Sequence, residues 1–346
     1  VLEIAQRDID AYFGGKAAVA DLVWSRLGDV KNYVEPFFGG GAVLLMRPAE
    51  HVASIETIND INGWVCNFWR AVKADPDGVA AYASDPVNEL DLHARGDWLF
   101  YRPDALDFVE RLRGDPDYYC VKSAGWWVWG MCAWIGSGWG REEKRCNAGM
   151  GINRKRPHLG NAGIGVNRKR PHLGDAGRGI NRQMPHLGNA GRGDGVTDTM
   201  RKAAITEYMR QLCERMARVR VCCGDWKRVC SSNSTTIVHG LTGVFLDPPY
   251  GVQDRDKSLY GDNDNITIAH DVREWAIKNG ERMRIALCGY EEHDGSMPTE
   301  WHKVVWKANG GYSNPGRKTN RNKERECIYF STSCIKCDTM FTETES

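Results

Sequence analysis

In Val244-Phe245-Leu246-Asp247-Pro248-Pro249-Tyr250 an apolar, strand-forming run gives way at once to a carboxylate, two prolines and an aromatic ring. Two prolines lack N–H donors and hold φ at about −65°, so ladder pairing stops there and nearby carbonyls are left to accept hydrogen bonds from another partner. Acceptors for two hydrogens beside a flat ring suit an exocyclic amino group on a planar base. Alone, the tetrapeptide fits equally a strand ending in a proline turn with a solvated aspartate, so the rest of the chain decides.

Working outward, short apolar and β-branched runs recur at Tyr33-Val34, Val52 to Ile55, Val219 to Val221, Arg284 to Leu287, Val304 to Trp306 and Cys327 to Phe330. Several are separated by helix-like stretches, and that alternation predicts an α/β fold built on a mostly parallel sheet. A helix is expected from about Thr197 to Ala217, with Met200, Ala204, Tyr208, Leu212 and Met216 on one face. A second is expected over Ile61 to Val72, after the second strand.

The first of these strands runs into Glu35-Pro36-Phe37-Phe38-Gly39-Gly40-Gly41-Ala42-Val43. Glycines after a strand let a ligand approach the backbone and let the next helix pack closely. No Gly-Lys-Ser/Thr follows, so this is not a phosphate-gripping loop. Glu35 would repel a phosphate and instead suits a ligand bearing an ammonium or hydroxyls. After the next strand comes Asn59-Asp60-Ile61-Asn62, where a strand-end acid can accept both hydroxyls of a ribose. The plainer alternative is a structural turn with Asp60 capping a helix.

The 346 residues carry 46 Lys and Arg against 45 Asp and Glu, so total charge says nothing about nucleic acid and only its local distribution can. No apolar run is long enough to span a membrane, and the start lacks a signal-peptide pattern. A cytoplasmic protein is expected, in a bacterial or phage-infected cell. The 12 cysteines are mostly scattered, and the single Cys334-x-x-Cys337 pair is a weak metal signal; reduced thiols and no metal are expected.

Tyr12-Phe13-Gly14-Gly15-Lys16, the Glu35 to Gly41 segment, Asp60-Ile61-Asn62 and Asp247-Pro248-Pro249-Tyr250, in that order, resemble the Dam-type DNA adenine-N6 methyltransferases. The resemblance covers roughly residues 10–72 and 219–331. It implies a Rossmann-like, S-adenosylmethionine-dependent methyltransferase sheet interrupted by a target-recognition region. On that reading residues 1–74 and 197–346 form the two parts of the methyltransferase domain, and 75–196 the insertion.

The resemblance also implies site residues. Tyr12, Phe13, Gly14 and Lys16 would lie against the S-adenosylmethionine pocket, with Glu35, Pro36, Phe37, Gly39 and Gly41 lining its methionine end. Asp60, beside Ile61, would take the ribose hydroxyls. Asp225 and Trp226 would serve the cofactor's adenine, the first as acceptor and the second as an apolar wall, with core packing the simpler reading of Trp226. Asp247 and the Pro248 carbonyl, braced by Pro249, would each accept one N6 hydrogen of a flipped-out adenine stacked on Tyr250, so the substrate would be double-stranded DNA.

Between 75 and 196 the chain departs from the family pattern. A polar stretch to about 117 precedes Trp126, Trp127, Trp129, Trp134 and Trp139, and then a 14-residue Gly-rich unit occurs three times. Between Gly151 and Arg192, nine basic residues stand against one acid, among them Arg154, Lys155, Arg156, Arg168, Lys169, Arg170 and Arg182. Their spacing on a Gly-rich backbone suits phosphate contacts, which position a protein on DNA without reading sequence. A solvated expansion with no role is the alternative. Arg317, Lys318 and Arg321 form a second basic loop.

Reliance on phosphates implies low sequence specificity, in the manner of phage-borne members of the family. The tryptophans read as packing beneath the loop or as stacking groups. Competing readings are methylation of cytosine N4, whose motif more often begins with Ser, an RNA adenine methyltransferase, and a DNA-binding module without catalysis.

Overall fold

The central strand lies where the sequence announces it. Thr242–Leu246 is buried at every position, because parallel neighbours flank it on both sides: Asn32–Glu35 and Arg284–Tyr290. A strand covered on both faces shows a continuous apolar run rather than alternation. The computed structural model describes residues 16–51, 55–133, 198–249, 264–290, 295–306 and 326–336.

Seven strands form one sheet: β1 (Asn32–Glu35), β2 (Ile55–Asp60), β3 (Val219–Cys223), β4 (Thr242–Leu246), β5 (Arg284–Tyr290), β6 (His302–Val305) and β7 (Glu326–Phe330). Their order is β3-β2-β1-β4-β5-β7-β6, with β1 to β5 paired in parallel and β7 antiparallel to both its neighbours. This mixed α/β, mostly parallel sheet is the expected Rossmann-like class. The second strand runs over Ile55–Asp60 and so ends on the acid expected at a strand end. Its buried residues include the polar Glu56, Thr57 and Asn59, so the apolar run marks only its start.

The helices, in chain order, are α1 (Ala17–Leu27), α2 (Ala42–Leu45), α3 (Gly63–Ala74), α4 (Pro76–Ala83), α5 (Glu89–Phe100) and α6 (Ala105–Gly114). There follow α7 (Val121–Ala133), α8 (Asp198–Met216), α9 (Lys227–Cys230), α10 (Asn233–Thr236) and α11 (Asp264–Asn279). No helix among the described residues is long and apolar enough to cross a membrane.

The chain divides into two compact units, one of residues 14–61 with 218–346, the other of 1–13 with 62–217. In the sheet unit, Val34, Val244, Leu246, Ile285 and Leu287 join Val272 and Ala276 of α11 in one core cluster. Trp24 of α1 packs on Tyr33, centroids 4.9 Å apart, and donates its indole N–H to the Val43 carbonyl.

In the helical unit, α7 and α8 pack on α3 and α4. Asn62 caps α3 by accepting from Trp64 N, the role that the plainer sequence reading gave to Asp60. The stretch from 75 to 117, expected only as polar and broken, is helical. Its breaks are caps: Asp75 accepts from Gly78 N ahead of Pro76 at the first helical turn, and Asn88 accepts from Asp91 N. The buried face of α8 also differs from expectation, being Ile205, Met209, Leu212 and Met216. Strict four-residue spacing drifts about 40° per step around a helix, whereas mixed steps of four and three hold one face.

Candidate active site

Because β1 to β4 are parallel, their C-terminal ends lie along one edge of the sheet, and each delivers a polar residue there. The order reverses between β1 and β4: β2 and β3 lie beyond β1, while β5 lies beyond β4. In an open α/β sheet such a switch point leaves a crevice outside the strand ends, where ligands bind.

The loop after β1 supplies the first wall. Gly39 and Gly41 take φ of 49° and 73°, the left-handed region that disfavours side chains. At Gly41 a Cβ would also fall 2.3 Å from the Phe38 ring, so the turn into α2 closes only around glycine. Asp60, ending β2, holds this loop by accepting from Gly39 N through Oδ2 at 2.9 Å. The cradle and its acid are therefore one assembly.

Asn59 is a part that the motif reading missed. Almost wholly buried, its amide donates to the Pro36 carbonyl at 3.1 Å and the Gly224 carbonyl at 2.9 Å, tying the loops after β1 and β3 together. Its Oδ1 is buried and has no hydrogen-bond partner among the described residues. Asp60 adds a backbone tie, its carbonyl accepting from Gly224 N. A polar residue one position before a strand-end acid was the available signal.

Glu35 is 2 % exposed and accepts the Tyr33 hydroxyl at 2.8 Å, both side chains lying on one face of β1. Burial and the adjacent carboxylate push the Tyr33 hydroxyl well above its ordinary pKa, so it stays a donor. Asp225 is exposed, and its Oδ1 accepts from Lys227 N at the start of α9. Trp226 belongs to the core, with Phe37 and Trp275 each 6.2 Å from its ring. Ile61 is half exposed beside Asp60.

At the end of β4, Asp247 and Pro249 are partly exposed and Pro248 is buried. The Lys16 ammonium, just ahead of α1, lies 3.3 Å from Asp247 Oδ1 and 3.5 Å from Glu326 Oε2. Burial works against this charge, but the two carboxylates outweigh it and raise the Lys16 pKa, so the ammonium persists at any working pH. Lys16, expected at the cofactor pocket, is thereby brought to the tetrapeptide.

Tyr12, Phe13, Gly14 and Tyr250 lie outside the described residues, as do Trp134, Trp139 and every basic residue of the repeats and of the loop at 317–321. No His, Cys, Asp and Glu group among the described residues is arranged to hold a metal ion.

Residues 12–121 match the model of the D12 class N6 adenine-specific DNA methyltransferase family. Over that segment the chain is similar to the DNA adenine-N6 methyltransferases. The matched segment takes in Lys16, the cradle, Asn59 and Asp60 and runs to the start of α7, ending well before the tetrapeptide at 247–250. No curated protein matches the chain. The family implies a methyl donor and a DNA substrate, and the residues along the sheet edge suit a donor that is cationic and carries hydroxyls: two carboxylates, a glycine cradle and no phosphate-gripping lysine.

Proposed function

We propose that this enzyme transfers a methyl group from S-adenosylmethionine to the N6 amine of an adenine flipped out of duplex DNA. The observation that carries the reading is the meeting of two dissimilar strand ends at the switch point, the cradle after β1 and the Asp247-Pro248-Pro249 turn after β4.

The cradle residues Pro36, Phe37, Gly39 and Gly41 would hold the methionine end of the cofactor, with buried Glu35 supplying negative potential toward its cationic groups. Asp60, already oriented by Gly39 N, would accept from the ribose hydroxyls, and Asp225 from the adenine amine, over a floor formed by Phe37 and Trp226. When bound, the cofactor supplies an electrophilic methyl group on a sulfonium.

The chain's own part begins with the substrate nitrogen. An adenine N6 lone pair is delocalised into the ring, so the amine is a poor nucleophile until its hydrogens are held out of plane. Asp247 and the Pro248 carbonyl would accept one hydrogen each, and Tyr250 would stack on the base. Positioning and fixed acceptors then provide most of the rate. The methylated nitrogen is acidic, so its proton passes to Asp247 or water without a strong base. Flipping costs a few kcal/mol, and stacking returns about 1–3 kcal/mol.

The basic repeats would track phosphates and permit methylation at many sites. Nucleoside analysis and modification-sensitive sequencing of DNA from cells expressing the protein test both points. N6-methyladenine in many contexts is the expected result. N4-methylcytosine would overturn the substrate, and one short consensus would overturn broad specificity.

A further inference from the structure

Asp247 does not meet Lys16 alone. A second carboxylate, Glu326, opens β7 opposite Tyr290 of β5 and takes the other side of the same ammonium. The Lys16 ammonium also stands 5.1 Å from the centre of the Trp306 ring. All three charged side chains are mostly shielded, 12 % exposed for Lys16, 24 % for Asp247 and 15 % for Glu326. One cation thus serves two acids in a setting where water screens them little.

We propose that Glu326 is a positioning residue for methyl transfer: by sharing the Lys16 ammonium, it sets how strongly the Asp247 carboxylate accepts from the substrate amine. This rests on the assignment of Asp247 as the amine acceptor. An ammonium devoted wholly to Asp247 would draw on the lone pairs that the amine needs. No ammonium at all would leave two neighbouring carboxylates in repulsion, and one would hold a proton and accept poorly. Sharing relieves the repulsion between the two acids while leaving Asp247 a strong acceptor. Among the described residues, ionisable groups acting on Lys16 come from three strands: Asp247 after β4, Cys288 from β5 and Glu326 from β7.

The test is a titration of the Asp247 carboxyl by carbon-13 NMR of aspartate-labelled protein, the signal assigned by its loss in Asp247→Asn. Relative to wild type, Glu326→Gln is expected to lower the Asp247 midpoint, and Lys16→Met to raise it, by about one unit each. The double variant should fall between them. Single-turnover methylation by Glu326→Gln should slow about tenfold, with affinity for S-adenosylmethionine unchanged and with Glu326→Asp restoring part of the rate. A purely structural Glu326 would leave the Asp247 midpoint where it is in wild type, and that result overturns the proposal even where Lys16→Met fails to fold. A wild-type enzyme that forms no N6-methyladenine counts instead against the assigned reaction, whereas an active wild type with coincident titrations counts against Glu326 alone.

Discussion

The edge of the sheet and the helical unit solve the same problem, fixing loops and helix ends in place, with a different balance of materials. Along the sheet edge the parts are backbone-shaped: glycines that alone fit their turn, prolines that end pairing, and strand-end acids that accept from main-chain N–H groups. In the helical unit, long cationic side chains join the Asn and Asp caps. Arg70, largely buried on α3, donates to the carbonyls of Leu112, Asp115 and Tyr118, gathering the end of α6 and the loop after it. Arg95 lies over Trp126 and Trp129, Lys122 over Trp98 and Trp126, and Arg102 over Trp98 and Phe108. On the proposed reading, function sits where the backbone dictates geometry, while the helical unit gains rigidity from side chains.

If that contrast is right, damage to the edge of the sheet should remove chemistry and spare stability, while damage to the helical unit should do the reverse. Asp247→Ala gives the largest expected effect: methyl transfer falls by at least about a hundredfold, as for other lost electrostatic groups at a reacting centre. Isothermal titration should still detect the cofactor, because the cradle and Asp60 are untouched. Near-normal single-turnover rates would break the assignment of the amine acceptor.

Next in size is Arg70→Met, which removes the charged donor shared by three carbonyls and should cost about 2–4 kcal/mol. Chemical denaturation would read this loss. An unchanged midpoint would mean that water replaces the guanidinium without penalty.

The same contrast explains what the sequence could convey. Strands β4, β5 and β7 were visible as apolar runs, and the Gly-rich and Pro-Pro turns were visible because few other residues serve there. Only the two ends of strand β2 were visible, because Glu56, Thr57 and Asn59 between them are buried yet polar. The latch at Asn59 depends on carbonyls from two other strand ends, and the Lys16 to Glu326 contact joins residues 310 apart, so neither has a local signature. The helices over 76–114 were hidden by composition. Arg95 and Arg102 lie in the stretch read only as polar, yet they cover aromatic rings and so do part of the work of apolar residues.

Gly125 offers a finer test of how closely the helical unit is packed. A Cβ there would lie 2.4 Å from Tyr82 Cβ and 2.8 Å from the Val79 carbonyl, so α7 and α4 must move apart to admit it. Gly125→Ala should therefore destabilise the protein by about 1–3 kcal/mol, even though alanine favours a helix interior over glycine by about 1 kcal/mol. Cofactor affinity should not change, and a gain in thermal stability would show that the helix pair is looser than its geometry.

The smallest effect is expected from Lys122→Met. The ammonium is 4.5 Å from the Trp98 ring centre and 4.3 Å from that of Trp126. Each such contact at a partly exposed position is worth about 0.5–1 kcal/mol. Methionine keeps the apolar stem and its packing on both rings, so the net loss should stay near 1 kcal/mol and should shrink little in high salt, because the attraction acts at short range. If Lys122 instead meets DNA phosphates, the variant will bind duplex DNA more weakly and with a shallower salt dependence, by about one contact's worth. Denaturation and salt-dependent DNA binding on the same variant therefore distinguish a helical unit that uses its cations internally from one that turns them toward the substrate.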